Sequence, residues 1–166
     1  DLDKVEIINK AIMRAIEYEY QQYISVKNYV YIIEDSKRIH IGETGWSSVA
    51  NELYGSDGTK AADELKQGIY FKKITDLCAS LSISCFYFSA FDEPWKDSNN
   101  PEGSENHFGL FTVDGKAKYA LWDSVNDGLF KGLKRPNKII KTFDGDLNAL
   151  METVYLPPVN VEDGHQ

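Results

Sequence analysis

The chain has 166 residues, of which 42% are hydrophobic and 27% are charged, and its formal net charge is −8. This length normally forms one domain with a core of its own, and the composition is that of an ordinary globular protein. Asp and Glu number 26 against 18 Lys and Arg, which argues against nucleic acid as a partner because a polyanion would be repelled. No stretch approaches the roughly 18 apolar residues of a membrane-spanning helix, so we expect no membrane span.

The first predicted element is a long helix that begins near residue 3. Val5, Ile8, Ile12 and Ile16 recur at helical spacing, with polar residues between them. The strand-favouring cluster at 29–33 leaves the end of this helix open between the high twenties and residue 33.

A short β-strand is predicted over residues 38–43. Two-residue alternation places Ile39 and Ile41 on the same side as Glu43. His40 then lies on the opposite side, and we assign it no role.

A second helix is predicted over about residues 59–80, followed by a strand over residues 83–91. That strand is almost entirely apolar and aromatic, which is typical of a strand buried on both faces in a parallel sheet. The order helix, strand, helix, strand with short connections predicts the α/β class. The pattern thins beyond residue 125, so we divide the chain into βα units at 1–125 and a C-terminal extension at 126–166.

The two predicted strands lead into the same kind of side chains. The first ends at Glu43 and is followed by Trp46, and the second is followed by Asp92, Glu93 and Trp95. Ligands collect at the carboxyl ends of parallel strands, because the loops there are free to vary. A carboxylate at this edge can attack an anomeric carbon while an indole stacks on the sugar ring, and retaining glycoside hydrolysis needs two carboxylates about 5–5.5 Å apart. A carboxylate and a Trp at the end of each predicted strand supply side chains of the kind that such a reaction uses.

The motifs at these strand ends resemble one enzyme family. ETGWSS, residues 43–48, is similar to the ETGWPS nucleophile signature of glycoside hydrolase family 17. FSAFDEPWK at 88–96 and ENHFGLF at 105–111 look like the family's last barrel strand and closing loop, and the resemblance extends over about residues 2–125. It implies that the chain is the C-terminal portion of a (β/α)₈ TIM barrel. It also implies an endo-glucanase or glucanosyltransferase that acts on β-1,3-glucan and needs no cofactor.

The resemblance further implies roles for six residues. Glu43 corresponds to the nucleophile on the seventh strand. The other five are implied to bind substrate, with Trp46 and Trp95 lining sugar subsites and with Glu93, Lys96 and Glu105 as the supporting carboxylate, lysine and glutamate. Ser47 stands where the signature usually has Pro, which loosens the loop without removing any chemistry.

Each of these side chains also has a structural interpretation. The two Trp side chains could pack against neighbouring loops, and Lys96 could be an ordinary surface lysine. Glu93 and Glu105 could hold Lys96 or cap a turn. His107 is interpreted as a loop-packing histidine rather than a base. No cluster of His, Cys or Asp has metal-ligand spacing, so we expect no metal site.

The resemblance assigns the acid/base glutamate to the fourth strand, whereas this chain begins near the sixth helix, so we expect the proton donor to be absent from it. General acid catalysis typically contributes about 10²–10⁴-fold, so the chain by itself is predicted to be inactive. Its expected partners are β-1,3-glucan and the remainder of the barrel, and the parent protein is expected to be secreted, periplasmic or associated with the cell wall. Two alternatives stay open: a non-catalytic glucan-binding or cell-wall module, and a retaining barrel glycosidase for a different β-glycan.

Overall fold

The computed structural model describes residues 2–158, in which two helix–strand units are followed by short helices. The helices and strands are, in chain order, α1 (Leu2–Ile33), β1 (His40–Thr44), α2 (Glu64–Ser80), β2 (Ser84–Tyr87), α3 (Trp122–Asn126) and α4 (Leu147–Glu152). Short 3-10 helices lie at Ser104–Asn106, Tyr119–Leu121 and Thr142–Gly145. No helix in this part of the chain combines the length and the apolar character needed to cross a membrane.

The first helix, α1, reaches Ile33 and therefore continues through the strand-favouring cluster at its end. Its Ile8, Ile12 and Ile16 are buried in the main apolar cluster. After its last residue, the Glu34 amide still donates to the Val30 carbonyl at 2.8 Å. The continuing helical hydrogen bonds thus override the local preference for a strand.

The parallel pairing of β1 with β2 is irregular, and the irregularity decides where Glu43 points. Ile41 lies opposite Cys85 but Thr44 lies opposite Tyr87, so β1 contains one more residue than β2 between these pairs. Such a β-bulge breaks the two-residue alternation. Ile41 and Thr44 are buried, whereas Glu43 is exposed. The prediction that Ile41 and Glu43 share one side of the strand is therefore wrong.

Two predicted boundaries are also wrong. The second helix begins at Glu64 rather than near residue 59, because the Asp63 carboxylate caps it by accepting from the Lys66 amide at 2.8 Å. β2 ends at Tyr87 rather than at residue 91, and its Phe86 is 62% exposed. Within the described residues, the main apolar cluster covers only the face of β2 that carries Tyr87, so burial of the face that carries Phe86 stays a prediction.

The C-terminal segment completes the core formed by α1, α2 and the sheet. Ile74 of α2 is fully buried, and Val154, which follows α4, belongs to the same apolar cluster. Leu150 of α4 is fully buried, and Ile139 is buried in a second cluster. Residues 126–158 therefore pack against the helix–strand units, although their sequence pattern is weak.

Candidate functional site

At the carboxyl ends of β1 and β2, Glu43 opens into a cavity of about 300 Å³. Lys96 and Glu105, which the sequence also places in the site, share this cavity with it. Among residues 2–158, no group of three or more His, Cys, Asp and Glu side chains is arranged to hold a metal ion. The cavity is lined by Glu43, Thr44, Gly45, Phe88, Lys96, Glu105 and Phe108.

The residue after Glu43 anchors the end of the strand. Thr44 is buried, and its hydroxyl oxygen lies 2.7 Å from the hydroxyl oxygen of Tyr70 on α2. Because Thr44 points into the core and the bulge precedes it, Glu43 is left facing the cavity and the solvent.

The backbone after β1 passes directly against the backbone after β2. The Phe88 amide donates to the Thr44 carbonyl at 2.7 Å. A Cβ atom at Gly45 would overlap the carbonyl oxygen of Phe88, so only glycine fits at this position. This close approach places Phe88 and the loop that follows it beside Glu43.

Lys96 enters the cavity over an aromatic ring. Its ammonium nitrogen lies 3.9 Å from the centroid of the Phe88 ring, a cation–π contact, and 3.6 Å from Oε2 of Glu93. The second distance is that of an ion pair rather than a hydrogen bond. Oε2 of Glu93 is buried and has no hydrogen-bond partner among the described residues. Glu93 does not line the cavity, and its position agrees with the structural interpretation that it holds Lys96.

A second cavity, of about 290 Å³, adjoins the first, and Glu105 and Phe108 line both. Trp46 and Tyr54 supply further aromatic surface to it. The indole of Trp46 is held in place because its Nε1 donates to the Ala61 carbonyl at 2.8 Å. An aromatic cavity next to the cavity of Glu43 has the form expected of a subsite for an adjoining sugar ring.

Trp95 lies outside both cavities, and it is 64% exposed. It lies in a turn that the Lys96 amide closes by donating to the Glu93 carbonyl at 3.0 Å. The turn brings Lys96 to the cavity but leaves Trp95 in solvent. The described residues therefore do not bring Trp95 to the cavity of Glu43, and its role in a sugar subsite stays a prediction.

A buried cluster of polar groups joins the two loops. Lys118 is 2% exposed, and its ammonium donates to Ser48 Oγ at 2.6 Å and to Asp92 Oδ1 at 2.7 Å. Burial lowers the pKa of Lys118, and the charge of Asp92 opposes this change. Asp92 also raises the pKa of His107, whose Nδ1 lies 3.9 Å from its carboxylate, against the opposite effect of burial. Nε2 of His107 lies 2.8 Å from the Pro101 carbonyl, which agrees with a loop-packing role.

The sequence did not predict the contribution of Gln67, which is fully buried in α2. Its Nε2 donates to the carbonyls of Trp46 at 2.8 Å and Gly109 at 3.1 Å, so one amide group ties the two loops together. The available signal was helical spacing, since Gln67 lies two turns before the buried Ile74 on the same face.

Tyr54, Phe108 and Lys118 were missed as well. Tyr54 lies in an irregular loop, and Lys118 has the sequence appearance of a surface lysine. No local pattern marks either residue, because their positions depend on contacts with distant segments.

Comparison with known proteins identifies the family. Residues 32–122, more than half of the chain, match the family described as Glycosyl hydrolases family 17. The chain belongs to this family, and its parallel strands and covering helices are part of a (β/α)₈ barrel.

The chain is also similar to individual proteins of this kind. The chain is 39% identical over 100 residues to a glucan 1,3-beta-glucosidase of Arthroderma benhamiae. The aligned region covers 55% of this chain and 30% of that protein. The crystal structure of an endo-laminarinase from Formosa Hel1_33_131 superposes with a TM-score of 0.92 at 52% identity, and covers 96% of this chain and 41% of that one. A β-1,3-glucanosyltransferase from Rhizomucor miehei matches with a TM-score of 0.45 at 28% identity, over 60% of this chain and 34% of that one. The chain thus spans well under half the length of these relatives.

Proposed function

We propose that this chain supplies the nucleophile and part of the sugar-binding surface of a retaining glycosidase that acts on β-1,3-glucan. The observation that carries the proposal is the cavity at the strand ends, where the exposed carboxylate of Glu43 lies together with Lys96 and Glu105. A nucleophile must be accessible to the anomeric carbon, and the bulge in β1 is what exposes this carboxylate.

In the proposed reaction, the Glu43 carboxylate attacks the anomeric carbon and forms a glycosyl-enzyme ester as the glycosidic oxygen leaves. A second carboxyl group protonates that oxygen, and then deprotonates the water or sugar hydroxyl that releases the sugar. We assign this second group to the fourth-strand glutamate that the family resemblance implies, outside the present chain. Hydrolysis and transfer differ only in the acceptor of the second step.

The remaining side chains contribute to binding in this proposal. Lys96 brings a positive charge and hydrogen-bond donors into the cavity of Glu43, and Glu105 offers acceptors for sugar hydroxyls between the two cavities. Trp46, Tyr54 and Phe108 provide the apolar surface on which a neighbouring ring rests.

The proposal is tested in a chimaera in which this chain replaces the corresponding segment of the Formosa endo-laminarinase, because the two superpose closely over 96% of the chain. We expect the chimaera to hydrolyse laminarin and Glu43→Ala to lower kcat on the order of 10⁴-fold or more. With an aryl β-laminaribioside as substrate, added azide should restore turnover in Glu43→Ala and yield an α-glycosyl azide, because azide takes the place of the missing nucleophile.

Glu102→Gln provides the matched control, since Glu102 is an exposed carboxylate in the loop before Glu105 and lines neither cavity. It should leave kcat and KM unchanged. A Glu43→Ala chimaera that retains ordinary activity, or an azide product of β configuration, would remove Glu43 from the nucleophile role.

The second candidate function is a non-catalytic glucan-binding module, which the aromatic cavity alone would support. Binding of laminarihexaose by a chimaera that has no turnover, with and without Glu43→Gln, would favour it. Turnover of cellohexaose in preference to laminarihexaose would instead favour a glycosidase for a different β-glycan.

A further inference from the structure

Two loops that carry the candidate site meet at one buried nitrogen atom. Nζ of Lys118 donates to Ser48 Oγ in the loop after β1 and to Asp92 Oδ1 in the loop after β2. It also lies 3.4 Å from the carbonyl oxygen of His107, farther along the second loop. A single ammonium group therefore contacts three chain segments that are distant in sequence.

Each loop partner of Lys118 is close in sequence to a site residue. Ser48 ends the six-residue motif that begins with Glu43, and Asp92 directly precedes Glu93. A shift of Ser48 or Asp92 would therefore move the backbone that carries the candidate nucleophile or the partner of the cavity lysine.

Further hydrogen bonds connect the same partners to one another. The Ser48 amide donates to the His107 carbonyl at 3.0 Å, and the Ser48 hydroxyl donates to the same oxygen at 3.2 Å. The Asp92 carboxylate also accepts from the Gly109 amide at 3.0 Å. The Lys118 ammonium thus lies at the centre of a junction in which each loop also bonds the other.

Stability alone does not require a buried ion pair at this place. Replacing a buried pair with apolar side chains of similar volume is often neutral or stabilising, because both charges lose their hydration on folding. An apolar pair would fill the same space, but it could not fix the direction of the Ser48 hydroxyl or the Asp92 carboxylate. Directional contacts of this kind determine geometry more than they determine stability.

We propose that Lys118 is a positioning residue, whose ammonium holds the loop of Glu43 and Trp46 against the loop of Glu93 and Glu105. That this positioning affects sugar binding rests on the function proposed above. That Lys118 fixes one loop against the other can be measured without any sugar.

The test uses the intact chain and the double variant Asp92→Asn/Lys118→Met, which removes both charges while it keeps the side-chain volumes similar. We measure three quantities: the thermal midpoint, the exchange rate of the Ser48 amide by NMR, and the affinity for laminarihexaose by NMR titration. Lys118→Met alone leaves Asp92 buried without its cation and should lower the thermal midpoint more than the double variant does.

In the double variant we expect a thermal midpoint close to that of the unmodified chain, but a Ser48 amide that exchanges about tenfold faster, because the bond to the His107 carbonyl opens more often. Laminarihexaose affinity should fall by a similar factor. Leu150→Ala is the control: it leaves a cavity in the core far along the chain, so it should lower the thermal midpoint without accelerating local opening at Ser48.

The outcomes separate this inference from the proposed function. Exchange at Ser48 within twofold of the unmodified chain would show that the cluster only fills space, and would overturn the positioning role. Faster exchange with unchanged laminarihexaose affinity would overturn it too. Faster exchange in a chain whose unmodified form binds no sugar would support the fixing of the loops, and the chimaera described above would decide the proposed function separately. If the double variant does not fold, Ser48→Ala removes one arm of the junction, and the exchange rate at position 48 is judged by the same criteria.

Discussion

Glu43 and Thr44 are neighbours at the end of β1 and both line the cavity, yet Glu43 is exposed whereas the Thr44 hydroxyl is buried against the hydroxyl of Tyr70. The Glu43 carboxylate is therefore accessible from solvent, while the contact of Thr44 with Tyr70 anchors the backbone that carries it. The same contrast separates Lys96 from Trp95, since only the lysine reaches the cavity. At the scale of single residues, function depends on which of two adjacent side chains the backbone turns inward.

The histidine beneath the site should make stability depend on pH. The Asp92 carboxylate raises the pKa of His107 above its ordinary value of about 6.5, so the folded state favours the protonated ring. The resulting stabilisation is fully present below the unfolded pKa and is lost as the pH rises through the higher folded pKa. Urea unfolding of the chain between pH 5 and 9 should therefore show this loss, and His107→Asn should lack it. Parallel stability curves for the two proteins would contradict the prediction.

At the scale of elements, the site depends on a bulged strand and on the approach of two backbones. The bulge in β1 turns Glu43 outward, and the contact between Gly45 and the Phe88 carbonyl brings the two loops together. Gln67 and Lys118 then tie those loops from below, one through backbone carbonyls and the other through side chains.

A matched pair of glycine variants tests the backbone approach. In Gly45→Ala the new methyl group collides with the Phe88 backbone, which cannot move aside cheaply, whereas Gly42→Ala meets no atom within 4 Å. We expect Gly45→Ala to lower the free energy of unfolding by about 1–3 kcal/mol or more, and Gly42→Ala to leave it nearly unchanged or slightly raised. Urea unfolding measures both values. Equal effects of the two substitutions would show that the strand ends are not in close contact.

At the scale of the whole molecule, the described residues contribute two parallel strands of a family whose barrels have eight. The chain covers 41% of the Formosa endo-laminarinase and superposes on it closely, so its own fold is that of the corresponding part of the complete barrel. Residues 126–158 belong to the same packed body, because Leu150 and Val154 are buried. This chain therefore provides the part of the proposed site that lies at the carboxyl ends of β1 and β2.

The purified chain should not hydrolyse laminarin. Glu43 can attack, but expulsion of a sugar alkoxide is slow without a proton donor, and the missing acid catalysis is worth about 10²–10⁴-fold. Reducing-sugar release from laminarin, compared between the chain and its Glu43→Gln variant, measures this. Turnover by the chain that Glu43→Gln abolishes would overturn the prediction and would show that the described residues contain a complete site.

The sequence by itself determined the features that depend on neighbours along the chain. The α/β class, both long helices and the presence of two strands follow from local periodicity. The three motifs at residues 43–48, 88–96 and 105–111 identified the family. Glu43, Lys96 and Glu105, which those motifs contain, line one cavity.

Only the tertiary structure decided which side chains face the cavity of Glu43. Alternation placed Glu43 on the wrong side, since a bulge arises from pairing with another strand and leaves no mark on β1 itself. Trp95 pointed into solvent, and a lysine of ordinary appearance at 118 became the buried junction of two loops. These outcomes depend on contacts between residues up to 70 positions apart, and local pattern carries no information about such contacts.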